Sequence, residues 1–167
     1  DLDETVLGVV LLERQGGMES HLIQGWETFC CRQSVGAVAA QFSWVLISNP
    51  VDSGTIVVLD NVLRDNSNMM EVMVTRGVPP GFAAGTVGVP LDTRMSVAQQ
   101  PAARVFRLNS AAGGFGSTIY QGATNELIEF PIVLGPDGSV AFRSGATNEA
   151  LILATRWAER RAQPFEL

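Results

Sequence analysis

The sequence has no lysine, one histidine and two cysteines, and each of these shortages excludes a class of chemistry. All eleven basic residues are arginine, which rules out a Walker A loop, a Schiff-base lysine and a Ser–Lys dyad. The two cysteines are the adjacent Cys30 and Cys31. Neighbours in a strand point to opposite faces, and a disulfide between them is strained. We therefore expect free thiols and no disulfide framework.

Excess positive charge and long apolar runs are also absent. The net charge is −6, whereas nucleic-acid binding needs clustered positive charge. No stretch approaches the roughly 18–20 apolar residues of a transmembrane helix. No basic segment followed by an apolar run opens the sequence, so we expect no signal peptide. The expected partners are other proteins, not nucleic acid or a membrane.

Few residues suit catalysis or metal binding. His21 is the only histidine, and no Gly-X-Ser-X-Gly elbow accompanies it, so a structural or surface role is favoured over a triad base. One histidine and two adjacent cysteines cannot form a zinc site without carboxylates. The oxygen-rich stretch "DNVLRDNSN" (60–68) is the nearest calcium candidate, but its Asp and Asn residues are typical turn formers.

Two pairs of glutamates and one glycine-rich stretch were considered as active-site elements. Glu126 and Glu129 lie three apart and face opposite sides of a strand, and Glu149 with Glu159 is interpreted in the same way, as solvated surface. The stretch "AAGGFGS" (111–117) precedes a β-type segment, whereas a nucleotide loop opens a helix. We expect no enzyme activity, no cofactor and no metal.

The pattern of apolar residues predicts short strands separated by turns. The 167 residues, with seventeen Gly and eight Pro, suit one turn-rich domain, 1–167. We predict an all-β fold, an antiparallel two-sheet β-sandwich or jelly roll with about ten short strands and long loops. Residues 1–4 are interpreted as an N-terminal arm, and 79–101 as an irregular loop excursion with a short helix around 94–100. The predicted strands are 5–13, 21–31, 37–49, 55–63, 69–75, 103–108, 117–121, 126–134, 139–144 and 150–161.

Two features refine this prediction. Phe42, Trp44 and Leu46 recur at period two and should share one face of their strand. Pro131, inside a strand pattern, indicates an edge position or a bulge. "RQSVG" (32–36) is predicted to be a turn.

The pentapeptide GATNE occurs twice, at 122–126 and 145–149. Pro136 in "GPDG" (135–138) suits the second position of a type I turn, which predicts a three-stranded meander with both copies at one end of the sheet. The favoured interpretation is one turn solution used twice, with Asn125 and Asn148 in a conformation of positive φ. The alternative is a binding rim formed by both copies.

The segment "RWAERR" (156–161) alternates along a strand. Arg156 and Arg160 share one face, and Trp157 and Arg161 share the other. One interpretation is a final strand with Trp157 at the edge of the core and solvated arginines. The other is a protein interface, because Trp and Arg are enriched at binding hot spots. The interface candidates are Arg156, Trp157, Arg160, Arg161, Asn125 and Asn148.

Several short motifs resemble those of small β-rich virion proteins of tailed bacteriophages. Near the C-terminus these are Leu134 with Pro136-Asp137-Gly138, then Gly145-Ala146-Thr147-Asn148, then Trp157-Ala158-Glu159-Arg160. Upstream, "ISNPVDSGTIVVLDNV" (47–62) resembles their "N-P-x-x-S-G" turn, and "VPLDTR" (89–94) resembles a further segment. The chain departs from the pattern in having Gly-Pro-Asp-Gly where many have Pro-Gly, and Ala162 where a Pro often follows.

The resemblance implies a non-enzymatic structural role on a virion, and no catalytic residues to carry over. The expected function is a capsid decoration or cement protein, assembled in the host cytoplasm into the virion. It would be a homo-oligomer bound to major capsid or tail proteins. The alternatives are a neck, tail or baseplate accessory protein, and a lectin-like carbohydrate-binding module. The last would bind a host glycan through Trp26, Trp44 or Tyr120.

Overall fold

A computed structural model describes residues 26–64, 69–91, 100–122, 127–128, 132–164 and 166. Its twelve strands form two antiparallel sheets, which confirms the all-β sandwich. The strands are β1 (Glu27–Val35), β2 (Phe42–Ser48), β3 (Thr55–Arg64), β4 (Met70–Arg76), β5 (Ala83–Ala84), β6 (Val89–Pro90), β7 (Arg104–Ser110), β8 (Ser117–Gly122), β9 (Leu127–Ile128), β10 (Ile132–Leu134), β11 (Gly138–Ser144) and β12 (Leu151–Arg161).

The strand pairing is that of one long hairpin wound around the core. Sheet A has the order β10-β3-β12-β1-β6, with β9 also on β3, and sheet B has the order β5-β7-β2-β11-β4-β8. The first half of the chain pairs in nested order with the second: β1 with β12, β2 with β11, β3 with β9 and β10, and β4 with β8. When β9 and β10, which both pair with β3, are taken together, the chain changes sheets between consecutive strands of each half, which is the jelly-roll connectivity.

The segment between β4 and β8 adds three strands at the other side of the sandwich. In it, β5 and β7 extend sheet B beside β2, and β6 extends sheet A beside β1. The chain from β5 to β6 therefore runs from one sheet to the other and closes this side. Residues 79–91 and 100–101, predicted as a loop excursion, thus include two short strands. The helix expected at 94–100 lies almost wholly outside the described residues.

Most predicted strands that fall on described residues lie within a few residues of observed ones, with two corrections. The turn predicted at 32–36 is wrong, because β1 continues to Val35. The three-stranded meander is also wrong: β10 and β12 belong to sheet A, whereas β11 belongs to sheet B. The turn at 135–138 therefore joins two sheets. Asp137, its third residue, has φ 67°, which is the signature of a type II turn and not the predicted type I.

The main core lies between the sheets, where Phe29 stacks on Trp157 at 6.1 Å between ring centroids. Both rings are fully buried. Gly88 lies against this tryptophan. It belongs to the chain from β5 to β6, which we call the closing segment. A Cβ at Gly88 would lie 2.5 Å from Cη2 of Trp157. The closing segment is therefore part of the core packing.

This packing predicts that Gly88→Ala destabilises the fold. Because the tryptophan is held on both sides, we expect a loss of about 1–3 kcal/mol in the free energy of unfolding. Gly36→Ala is the matched control, since a Cβ there meets nothing within 4 Å. Urea denaturation of both variants checks the difference, and equal midpoints would contradict the packing.

The sheet edges are short or interrupted. Four edge strands, β5, β6, β9 and β10, have only two or three residues each. The fifth, β8, contains an irregularity opposite Val72 and Met73, where Ile119 has no partner in the register. Short and bulged edges discourage pairing with strands of other molecules. Pro131 lies outside the described residues, next to the edge strand β10.

Candidate functional site

The two outer faces of the sandwich differ in how they are covered. On sheet B, Trp44 and Leu46 lie on the outer face with Met73 and Ala141, and form a second apolar cluster. Five partly buried side chains pack against it, namely Phe42, Phe82, Phe106, Leu108 and Phe115. The predicted shared face of Phe42, Trp44 and Leu46 is therefore confirmed. That face lies outside the sandwich and is covered by the chain's own loops.

Contacts of Arg143 stabilise the packing of loop residues over this cluster. Its guanidinium lies 4.3 Å from the ring centroid of Phe42, donates to the carbonyl of Gly113 and forms an ion pair with Glu71. Phe115, in the same loop as Gly113, packs edge-on against Trp44 at 4.7 Å. The aromatic cluster on sheet B is thus covered by internal contacts, and Ile119 on the edge strand β8 stays 45% exposed.

The outer face of sheet A has no such second cluster among the residues that the structure describes. Its alternate residues point away from the core, and three of its aliphatic side chains stay exposed: Leu63 by 42%, Val89 by 51% and Val133 by 62%. We call this surface the open face. It comprises Cys30, Arg32, Val58, Asp60, Leu63, Val89, Val133, Ile152, Ala154 and Arg156.

Arg156 lies in the middle of the open face, on the central strand β12. Its Nε is 3.9 Å from a carboxylate oxygen of Asp60, and its side chain is 46% exposed. When the Asn61 amide is turned so that both of its polar atoms form hydrogen bonds, its side-chain oxygen accepts from the same Nε of Arg156 at 3.2 Å. The pairing of β12 with β3 shifts register between Arg156 and Trp157, which lie opposite Asn61 and Leu59, so Asp60 forms the bulge. The bulge therefore places a carboxylate beside the arginine within aliphatic surroundings.

The other predicted interface residues on β12 are not all available at the surface. Trp157 is fully buried, as in the core interpretation of "RWAERR". Arg160 is half-buried, with its guanidinium 5.0 Å from the Trp26 ring centroid and in an ion pair with Glu166 at 2.5 Å. That arginine lowers the pKa of Glu166 to about 2. Arg161 is exposed.

The GATNE residues do not join this group. Asn148 has φ 60°, as predicted, and lies before the start of β12, while the arginines lie in its second half. Its backbone N–H donates to the carbonyl of Gln41 at 2.9 Å. Asn125 lies outside the described residues. Gly122 pairs with Met70, and the N–H of Gly145 donates to Met69 at 2.7 Å, so the two copies begin beside the start of β4.

The carboxylate of Glu159 is buried. The prediction that Glu159 belongs to a solvated surface is therefore wrong. It is 4% exposed and accepts from Trp157 Nε1 at 2.8 Å and from the backbone N–H groups of Ala102 and Ala103 at 2.7 and 2.9 Å. Burial raises the pKa of this carboxyl, and these hydrogen bonds partly oppose the rise. Glu159 thus ties the segment before β7 to β12.

Two of the motifs on which the expected resemblance rests meet at one buried amide. Asn49, in the "N-P-x-x-S-G" turn, donates from Nδ2 to the carbonyls of Thr55 at 2.9 Å and Leu134 at 3.0 Å. Its own N–H donates to the carbonyl of Gly138 at 2.9 Å. The residues that carry the resemblance therefore serve internal bonding here.

The described residues give little support to other ligand chemistry. Among them, no group of three His, Cys, Asp or Glu side chains could hold a metal ion. No aromatic side chain in this part of the chain is exposed: Trp44 is fully buried and both Trp26 and Tyr120 are half-buried. A cleft of about 540 Å³ beside the closing segment has Asp52 and Arg104 as its charged residues. His21 lies outside the described residues.

The cysteines are free, with Cys31 buried and Cys30 half-buried on the opposite face of β1. Burial raises the pKa of the Cys31 thiol, which lies 3.3 Å from Thr155 Oγ1.

No helix in the described ranges is long and apolar enough to cross a membrane. Comparisons with known protein families, with curated proteins and with solved structures gave no match.

Proposed function

We propose that this chain is a non-enzymatic structural protein of a bacteriophage virion, of the capsid decoration or cement type. The observation that carries the proposal is the contrast between the two outer faces. One is closed over an aromatic cluster, whereas the open face keeps three aliphatic side chains exposed around Arg156. Exposed aliphatic surface rimmed by polar groups is typical of protein interaction sites.

The edges of the sheets favour attachment through a face. Because the edge strands are short or bulged, adding a partner's strand to them gains few backbone hydrogen bonds. The open face, in contrast, combines aliphatic contact area with an arginine, a residue enriched at hot spots. The motifs around Asn49 and Glu159 resemble those of phage virion proteins, and this resemblance is the reason for proposing that the chain belongs to a virion. A neck, tail or baseplate location is the same proposal at another site on the particle.

Incorporation into particles tests the proposal. In a phage that encodes the chain, mass spectrometry of purified virions should detect it, at high copy number for a head decoration protein. Leu63→Glu and Val133→Glu should each lower its copy number at least tenfold, because a carboxylate would be buried against an apolar surface. Val51→Glu is the matched control, since Val51 is 72% exposed in a loop away from the open face.

Circular dichroism and melting temperature establish that the variants fold. Absence of the chain from purified virions would overturn the proposal. Full incorporation of both open-face variants would overturn the role of the open face. A copy number of only a few per particle would move the site from the head to the neck, tail or baseplate.

A further inference from the structure

Two charges near the centre of the open face are complementary to the same two charges on a second molecule. Asp60 and Arg156 lie side by side near its centre, 3.9 Å apart. In a two-fold symmetric contact, each surface meets a copy of itself, so a group at one position faces its partner's group at another. An axis passing between the two residues would place each arginine against the opposite carboxylate.

The apolar residues follow the same arrangement. Val133 and Val58 lie on one side of Arg156, Leu63 and Ala154 lie further along the strands, and Val89 lies towards β6. A two-fold axis lying in the plane between the two faces would set aliphatic side chains of one copy against aliphatic side chains of the other. Charge pairs at the centre of an interface, enclosed by apolar contacts that exclude water, are typical of hot spots.

The size of the face sets the expected strength of association. Five strands spaced about 4.8 Å apart and about six residues of β12 at 3.3 Å each cover roughly 400 Å² in plan. Stable dimers bury about 800 Å² per partner, and smaller contacts are weak or transient. We therefore expect dissociation in the micromolar range.

We propose that the open face binds the open face of a second copy of this chain, in a two-fold dimer with Arg156 of each copy against Asp60 of the other. This inference rests on the proposed function for its choice of face. It names a second copy of the chain as the occupant of that face, so that the assembly contact made through it is one between neighbouring copies. Nucleic acid is a poorer occupant because a carboxylate lies at the centre of the face. The proposal specifies where the expected homo-oligomer would form.

A charge-swap experiment tests the dimer and separates contacts between chains from contacts within one. Arg156→Asp gives a face with two central carboxylates, and Asp60→Arg gives one with two guanidiniums. Each variant alone should associate at least tenfold more weakly than the wild type. Mixed one to one, the two variants should form a heterodimer of nearly wild-type affinity. An effect within each chain cannot produce this rescue.

Sedimentation velocity on the full chain from about 1 to 200 µM measures these affinities. Arg76→Asp, an exposed site on sheet B with the same change of charge, should leave association unchanged. The pair Arg156→Glu and Asp60→Lys repeats the test if one of the first variants fails to fold.

Three outcomes would overturn the dimer. The first is a wild-type chain that stays monomeric at the highest concentration. The second is a wild-type dimer with no rescue on mixing the variants. The third is a monomer in which Leu63 is already protected from hydroxyl radicals, which would show that another part of the same chain covers the face. These measurements contain no virion. A negative result would therefore overturn the dimer but not the proposed attachment to the particle, which the copy number in purified virions tests.

Discussion

Replacing Glu159 by alanine is expected to lower the free energy of unfolding by about 3 kcal/mol. The change removes the acceptor of three buried donors: Trp157 Nε1 and the N–H groups of Ala102 and Ala103. A buried donor left without a partner costs roughly 1–3 kcal/mol, and removal of a desolvated charge offsets part of the sum. Urea denaturation followed by tryptophan fluorescence measures the loss.

Two further variants define the cause. Glu159→Gln keeps the side-chain volume and one acceptor oxygen, so we expect a smaller loss of about 1–2 kcal/mol. Asp52→Ala, which removes a carboxylate from an exposed loop position, should stay within about 0.5 kcal/mol of the wild type. If Glu159→Ala were as stable as Asp52→Ala, Glu159 would not hold the segment before β7.

Glu159 also predicts a dependence of stability on pH. Burial raises its pKa in the folded state above the ordinary value of 4.5, so the folded chain holds this proton more tightly than the unfolded chain. The resulting stabilisation is fully present below the ordinary pKa and is lost as the pH rises through the raised one. The difference in unfolding free energy between wild type and Glu159→Gln should therefore shrink over that interval. A difference that grows with pH would contradict the raised pKa.

Asn49→Asp is expected to destabilise the fold by about 3 kcal/mol, because it turns a buried donor into a buried carboxylate. The amide nitrogen of Asn49 now donates to the carbonyls of Thr55 and Leu134, which belong to different strands of sheet A. Aspartate would set its oxygens against those two carbonyls. Asn49→Ala removes this repulsion but leaves both carbonyls without the donor, so we expect a loss of about 2 kcal/mol.

Asn148→Asp is the matched control for this substitution. Asn148 is exposed at φ 60°, a conformation that aspartate also adopts, so its stability should change by less than about 0.5 kcal/mol. Chemical denaturation of the three variants under one set of conditions ranks them. An Asn49→Asp variant as stable as Asn148→Asp would mean that the turn is not held through this amide.

Local patterns in the sequence predicted the strands but not their pairing. Period-two alternation and turn residues placed β2, β3, β4 and β11 within a few residues of their bounds. Pairing depends on contacts such as Glu27 with Glu159, which join residues far apart in the chain and leave no local pattern. The turn at 135–138 shows the same limit, because its residues predict a reversal equally well within a sheet and between two sheets.

The open face was beyond sequence reasoning for a related reason. Alternation shows that a strand has two faces, but not which face the rest of the chain covers. Trp44 and Trp157 both lie in predicted strands, yet one lies outside sheet B and the other between the sheets. The sequence predicts Arg156 as an interface residue, whereas it places Asp60 in the strand 55–63 and in the calcium candidate 60–68 without a role in an interface. The bulge in β3 that brings them together is visible only in the paired strands.

Hydroxyl-radical footprinting of the chain, free and in the virion, tests the central claim most directly. The free chain is measured at a concentration where it is monomeric. The account predicts that the side chains of Leu63 and Val133 react in the free chain and are protected in the particle, while Val51 reacts equally in both. Equal reactivity of Leu63 and Val133 in the two states would contradict the assignment of the open face as the assembly surface.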